Sequence, residues 1–189
     1  MKSSLASNMA GQSTLDLGLL LRWLAALLSL GAAGIHFAVA PAHFEEYWLF
    51  GWFFVAVAWL QALWALAVAT DRRRWVLYVG LAGNLLLVLV WAWTRVVSVP
   101  IGPGAGKTEA LGLTDETTVV FELNAVLTAL LLLIVIRMDA ARARTSWRLA
   151  AGWLLAVALL LIALTGVSLS RDSGDHGAQS PPNHVGHAP

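Results

Sequence analysis

A chain of 189 residues that is 59% hydrophobic and only 12% charged has too little polar surface to cover a soluble globule, because ordinary soluble domains are roughly 45–50% apolar and about 25% charged. The formal net charge of +1 argues against a nucleic-acid partner, which calls for a strongly basic domain, and the absence of cysteine excludes disulfides, thiolate nucleophiles and Cys-ligated metal centres. With a mean hydropathy of +0.73, the natural solvent is a lipid bilayer.

Residues 1–14 are small and polar and read as a tail. From Leu15 the chain is apolar to Ala40, longer than the ~20 residues a spanning helix needs. Arg22 falls one to two turns in, where its side chain can snorkel to the headgroups. Ala38-Val39-Ala40 has the small-x-small form of a signal-peptide cleavage site. The apolar run, however, exceeds the roughly 7–15 residues of a typical signal core, and Pro41 would follow the cut. The first span is therefore read as retained, ending near Ala40 because proline disfavours helix in the residue before it.

The second span is expected at 48–68, closed by Thr70-Asp71-Arg72-Arg73-Arg74, and the third at 75–93. A long Gly- and Pro-containing connection from Ser98 to Thr117 follows. Thr114 stands where it can cap the next helix, and Asp115 and Glu116 suit its N-terminal dipole. The fourth span is expected at 118–136. A basic stretch then leads to a fifth at 147–169, and residues 170–189 have the polar, Pro/Gly-rich composition of a disordered tail. The expected fold is an all-α membrane bundle of five helices.

Nine basic residues (Lys2, Arg22, Arg72, Arg73, Arg74, Arg137, Arg142, Arg144 and Arg148) fall on one side of these spans, and only Arg95, Lys107 and Arg171 on the other. The positive-inside bias therefore predicts a cytoplasmic N-terminus and an external C-terminus. Trp23, Trp75 and Trp147 fall at predicted inner ends. Trp48, Trp52, Trp91 and Trp93 fall at outer ends, as an aromatic belt should.

Chemistry is expected at the outer face, where all five histidines lie. His36 and Glu122 each sit about four residues below the outer end of their spans, roughly 6 Å into the leaflet, and Arg95 closes the outer end of span three. Ionisable groups at such depth face a partner or a cavity. One reading is a structural ion pair between Arg95 and Glu122 with His36 hydrogen-bonded alongside. The other makes His36, His43 and Glu122 metal ligands or proton-handling groups, with copper or zinc as the ions that imidazole and carboxylate suit. His36 and His43 would share a helix face if Pro41 did not end the helix between them.

Asn84, mid-membrane beside Gly80 and Gly83, reads as an interhelical contact, and Gly31 and Gly34 as points of close helix approach. Gly102-Pro103-Gly104-Ala105-Gly106-Lys107-Thr108 lacks the first glycine of a phosphate loop, since Ile101 occupies that position, so nucleotide is not an expected ligand. His176, His184 and His187 are scattered in the tail.

Thr94-Arg95-Val96-Val97 with Pro100-Ile101-Gly102-Pro103, Gly106, Glu109, Gly112-Leu113 and Asp115, together with Gly34-Ile35-His36 and Pro41-Ala42-His43-Phe44, resembles a group of small, uncharacterised bacterial polytopic membrane proteins. The resemblance covers residues 30–136 and implies a multi-pass protein of a bacterial inner membrane without an assigned activity. The expected function is that of a structural or accessory membrane protein with an outward-facing polar pocket able to bind a metal ion. A small transporter or proton-coupled carrier using His36 and Glu122 is the alternative, and an intramembrane enzyme a third. The expected partners are the lipid bilayer and a membrane protein or second copy of the chain.

Overall fold

The computed structural model describes residues 14–109, 112–137 and 144–178. In chain order these form β1 (Thr14–Asp16), α1 (Leu17–Glu46), α2 (Trp48–Thr70), α3 (Arg74–Val96), α4 (Leu113–Arg137), β2 (Arg144–Ser146) and α5 (Trp147–Ala178). The two three-residue strands pair antiparallel, Leu15 opposite Thr145. Everything else of consequence is helical.

Helices α1 to α4 are each long and apolar enough to cross a membrane, and α5 carries an apolar stretch over Gly152–Val167. Between 22% and 50% of each of the four span windows is buried inside the protein. Large apolar side chains such as Leu60, Leu66, Leu86 and Ile134 are instead exposed. In water such faces would be an aggregation hazard; against lipid tails they are matched to their surroundings.

Helix α1 is the hub, packing on α2, α4 and α5, while α3 leans mainly on α4. The composition of α1 explains this position. Ala25, Ala26, Ser29, Ala32 and Ala33 give it a buried face of small side chains, so neighbouring backbones approach closely and gain dispersion contacts. The Ser29 hydroxyl donates to the Gln61 carbonyl of α2 at 2.8 Å. Gly31 meets Phe121 of α4, where an added Cβ would stand 2.7 Å from the ring; Gly34, also expected at a close approach, has nothing within 4 Å. Close approach is thus confined to one of the two glycines.

Several boundaries differ from the sequence expectation. Asp16 caps α1, its carboxylate accepting from the Leu19 amide, so the helix starts at Leu17. It does not end near Ala40 but runs through Pro41 to Glu46. Proline removes one backbone donor, a loss that side chains and neighbours offset in membrane helices. In the same turn His43 Nδ1 donates to the Val39 carbonyl at 2.9 Å. Helix α4 begins at Leu113, so Thr114 lies in its first turn rather than capping it. Helix α5 continues through Ala178, past the expected end at 169; residues 179–189, with His184 and His187, lie outside the described residues.

Arg22 does not snorkel outward. It is 5% exposed and its guanidinium donates to the carbonyls of Val68, Asp71 and Arg72 at 3.2, 2.7 and 3.0 Å. The last carbonyls of a helix have no intrahelical partners, and a cation at that end also meets the negative pole of the dipole.

Candidate functional site

The polar centre of the bundle is built by three helices. Glu122 of α4 is 2% exposed, Gln61 of α2 4% and His36 of α1 8%. Gln61 Nε2 donates to Glu122 Oε1 at 3.0 Å, and His36 Nε2 lies 3.3 Å from the same oxygen. With Glu122 ionised, His36 Nε2 is the donor. The other polar atoms of these partners, His36 Nδ1 and Gln61 Oε1, are buried without a hydrogen-bond partner. Helical periodicity sets the arrangement. On α4, Thr114, Thr118 and Glu122 are spaced by four and all buried, forming one polar stripe on the inward face.

Above this centre, between α1, α2, α3 and α4, lies a cavity of about 1500 Å³, with His36 and Glu122 among its lining residues. That exceeds the 300–1,000 Å³ typical of small-molecule pockets. Its walls are apolar and aromatic, including Phe50, Phe53, Phe54 and Trp91. It exists because α2 and α3, though joined by a short turn, contact one another little. They meet at the turn end, where Trp64 Nε1 donates to the Val76 carbonyl at 2.8 Å. There the indole fills the space a side chain would need at Gly80, since an added Cβ would stand 1.9 Å from the ring.

The connection after α3 roofs the cavity. Val99 and Lys107 are joined by a backbone bond of 2.8 Å, as are Gly106 and Val99 at 3.0 Å. Gly102 and Gly106 hold φ of 86° and 82°, a left-handed conformation open to glycine, and Gly102 packs on Phe50. These glycines serve the turn geometry.

Arg95 is placed at the rim of the cavity and not against Glu122. It donates from Nη1 to Glu109 and to the Thr94 hydroxyl, and from Nη2 to Asp115. The expected Arg95–Glu122 pair is thus replaced by a three-member rim cluster. Glu122 lies seven residues beyond Asp115, about 10 Å deeper along α4 by the helical rise. The rim carboxylates are nearer and half hydrated, so forming the pair with them costs less desolvation. Trp91 Nε1, Arg95 Nε and Thr114 Oγ1, all on residues lining the cavity, are buried and have no hydrogen-bond partner.

His43 lines the same cavity. The continuity of α1 does put it on the His36 face, and both imidazoles contact Phe54, with ring centroids 5.5 Å (His36) and 4.0 Å (His43) away. Its Nδ1 is committed to Val39, however, and it makes no bond to Glu122. Among the described residues no three or more His, Cys, Asp or Glu side chains are grouped to hold a metal, so the His36, His43 and Glu122 ligand set for copper or zinc is not assembled. Asn84 is 4% exposed and donates to the Gly80 carbonyl of its own helix at 2.8 Å, not across to another helix.

Gln61 was not singled out from the sequence. The signal was present: it is the one amide in an otherwise apolar span, and a polar group there needs a partner. No known protein family, curated protein or solved structure matches this chain. What fold and site define together is a multi-pass, all-helical membrane protein with a buried carboxylate centre beneath a large aromatic-walled cavity.

Proposed function

We propose that this is an accessory protein of a bacterial inner membrane that takes a small amphiphilic molecule into a cavity facing the non-cytoplasmic side, with Glu122, His36 and Gln61 as the polar floor. The observation that carries this reading is the position of the Glu122 carboxylate. It is nearly fully buried yet lines a cavity of about 1500 Å³. A carboxylate at membrane depth is costly and is found where it meets a partner, substrate or water-filled space. The fixed amide donor from Gln61 orients it, as a binding centre requires. The bias of basic residues toward the N-terminal side supports an outward-facing mouth.

The cysteine-free chain offers a direct test. Val39 and Thr118 line the cavity and Ala129 does not. Single variants Val39→Cys and Thr118→Cys should react with a membrane-impermeant thiol reagent applied to the outside of intact cells, and Ala129→Cys should not. Reaction solely from the cytoplasmic side, or at the rate of Ala129→Cys, would overturn the outward-facing cavity.

A further inference from the structure

The lining of the cavity carries five carboxylates, Glu45, Glu46, Glu109, Asp115 and Glu122, against one guanidinium, Arg95. Arg95 is already engaged by Glu109 and Asp115, which leaves the deepest carboxylate without a fixed cation. Its neighbours are the neutral amide of Gln61 and the imidazole of His36, which is charged only when protonated. From this we infer that the ligand is a hydrophobic organic cation, its charge held by Glu122 and its apolar groups by the aromatic walls. The inference rests on the cavity reading above and adds the sign and chemistry of the ligand.

Three physical arguments converge on that class. An excess of carboxylates along a cleft with low-dielectric walls focuses a negative potential, which concentrates cations and repels anions. Phe50, Phe53 and Phe54 line the same cavity, beside Trp91 whose ring already carries the Arg95 guanidinium 5.6 Å from its centroid, and a desolvated cation gains from aromatic faces where an anion does not. A bare metal ion needs several oxygen or nitrogen ligands, and no such group is gathered among the described residues. An ammonium or phosphonium needs one carboxylate and apolar surface, both of which the cavity supplies. The buried Thr114 hydroxyl, 4% exposed and unpartnered, adds a polar contact two helical turns above Glu122 on the same stripe of α4.

The test uses an isosteric pair of opposite charge. Tetraphenylphosphonium and tetraphenylborate have nearly the same shape, so a difference between them beyond that seen with lipid alone reports the sign of charge the protein accepts. Equilibrium dialysis against the full chain in phosphatidylcholine nanodiscs, with empty nanodiscs subtracted, should show saturable binding of the phosphonium and none of the borate. Glu122→Gln should weaken the phosphonium roughly tenfold or more, about one charge contact. Phe54→Leu, which leaves the polar centre in place, should weaken it to a smaller degree. Saturable binding of the borate, equal binding by the Glu122→Gln protein, or no saturable phosphonium binding by the native chain would each overturn the cationic class. External labelling of Val39→Cys separates these failures from failure of the cavity itself, because it needs an open cavity and no cation.

Discussion

Gln61 Nε2 donates to Glu122 Oε1 across 3.0 Å between α2 and α4, joining the two helices through a buried bond. Replacing Gln61 with Leu removes a hydrogen bond to a charged group, worth about 1.5–3 kcal/mol. The Gln61→Leu protein should unfold at lower temperature or denaturant in detergent by that order. The double variant Gln61→Leu with Glu122→Leu should lose less than the sum of the singles, by more than about 0.5 kcal/mol. Strict additivity would mean the two side chains do not share a bond.

Arg95 should couple to Asp115 and not to Glu122. In double-mutant cycles, Arg95→Gln and Glu122→Gln should add within about 0.3–0.5 kcal/mol, whereas Arg95→Gln and Asp115→Asn should show a shared loss. The Asp115 side chain is 38% exposed, so the rim coupling should be modest and fall with added salt.

Gly31 and Gly34 of α1 should respond oppositely. Gly31→Ala places a methyl against the Phe121 ring and should destabilise, since overpacking a tight contact costs about 1–3 kcal/mol. Gly34→Ala meets open space, and the better helix propensity of alanine should leave stability unchanged or raised by up to about 1 kcal/mol. Thermal unfolding of the purified variants distinguishes the two.

Arg22→Met should loosen the end of α2 by leaving the Val68, Asp71 and Arg72 carbonyls without their donor. A loss of about 1–3 kcal/mol is expected for buried acceptors left unsatisfied, and Arg22→Lys should recover only part of it, because an ammonium lacks the planar fork that spans three carbonyls. Full recovery by lysine would mean that charge alone matters there.

The orientation proposed from the basic-residue bias predicts that a reporter active only in the cytoplasm gives signal when fused after Arg72 and none when fused after Ala105. The reverse pattern would put the cavity mouth on the cytoplasmic side.

Amino-acid order alone determined that this chain is a helical membrane protein, because apolar runs of spanning length and a shortage of charge admit no other solvent. It also marked His36, Glu122 and Arg95 as special, since an ionisable side chain in such a run costs too much to be incidental. The breaks at Thr70-Asp71 and at the Gly/Pro connection were legible for the same local reasons. Partnership was not legible. Depth along a helix said that Arg95 and Glu122 were near the same leaflet, but only the packed bundle decided that Arg95 turns to Glu109 and Asp115 while Gln61 comes round to meet Glu122. Pro41 likewise reads locally as a helix end, yet α1 continues through it to Glu46. The cavity arises from the divergence of α2 and α3 above the Trp64–Gly80 contact. Which side chains meet across helices depends on rotation and crossing, and no single helix encodes these in its own sequence.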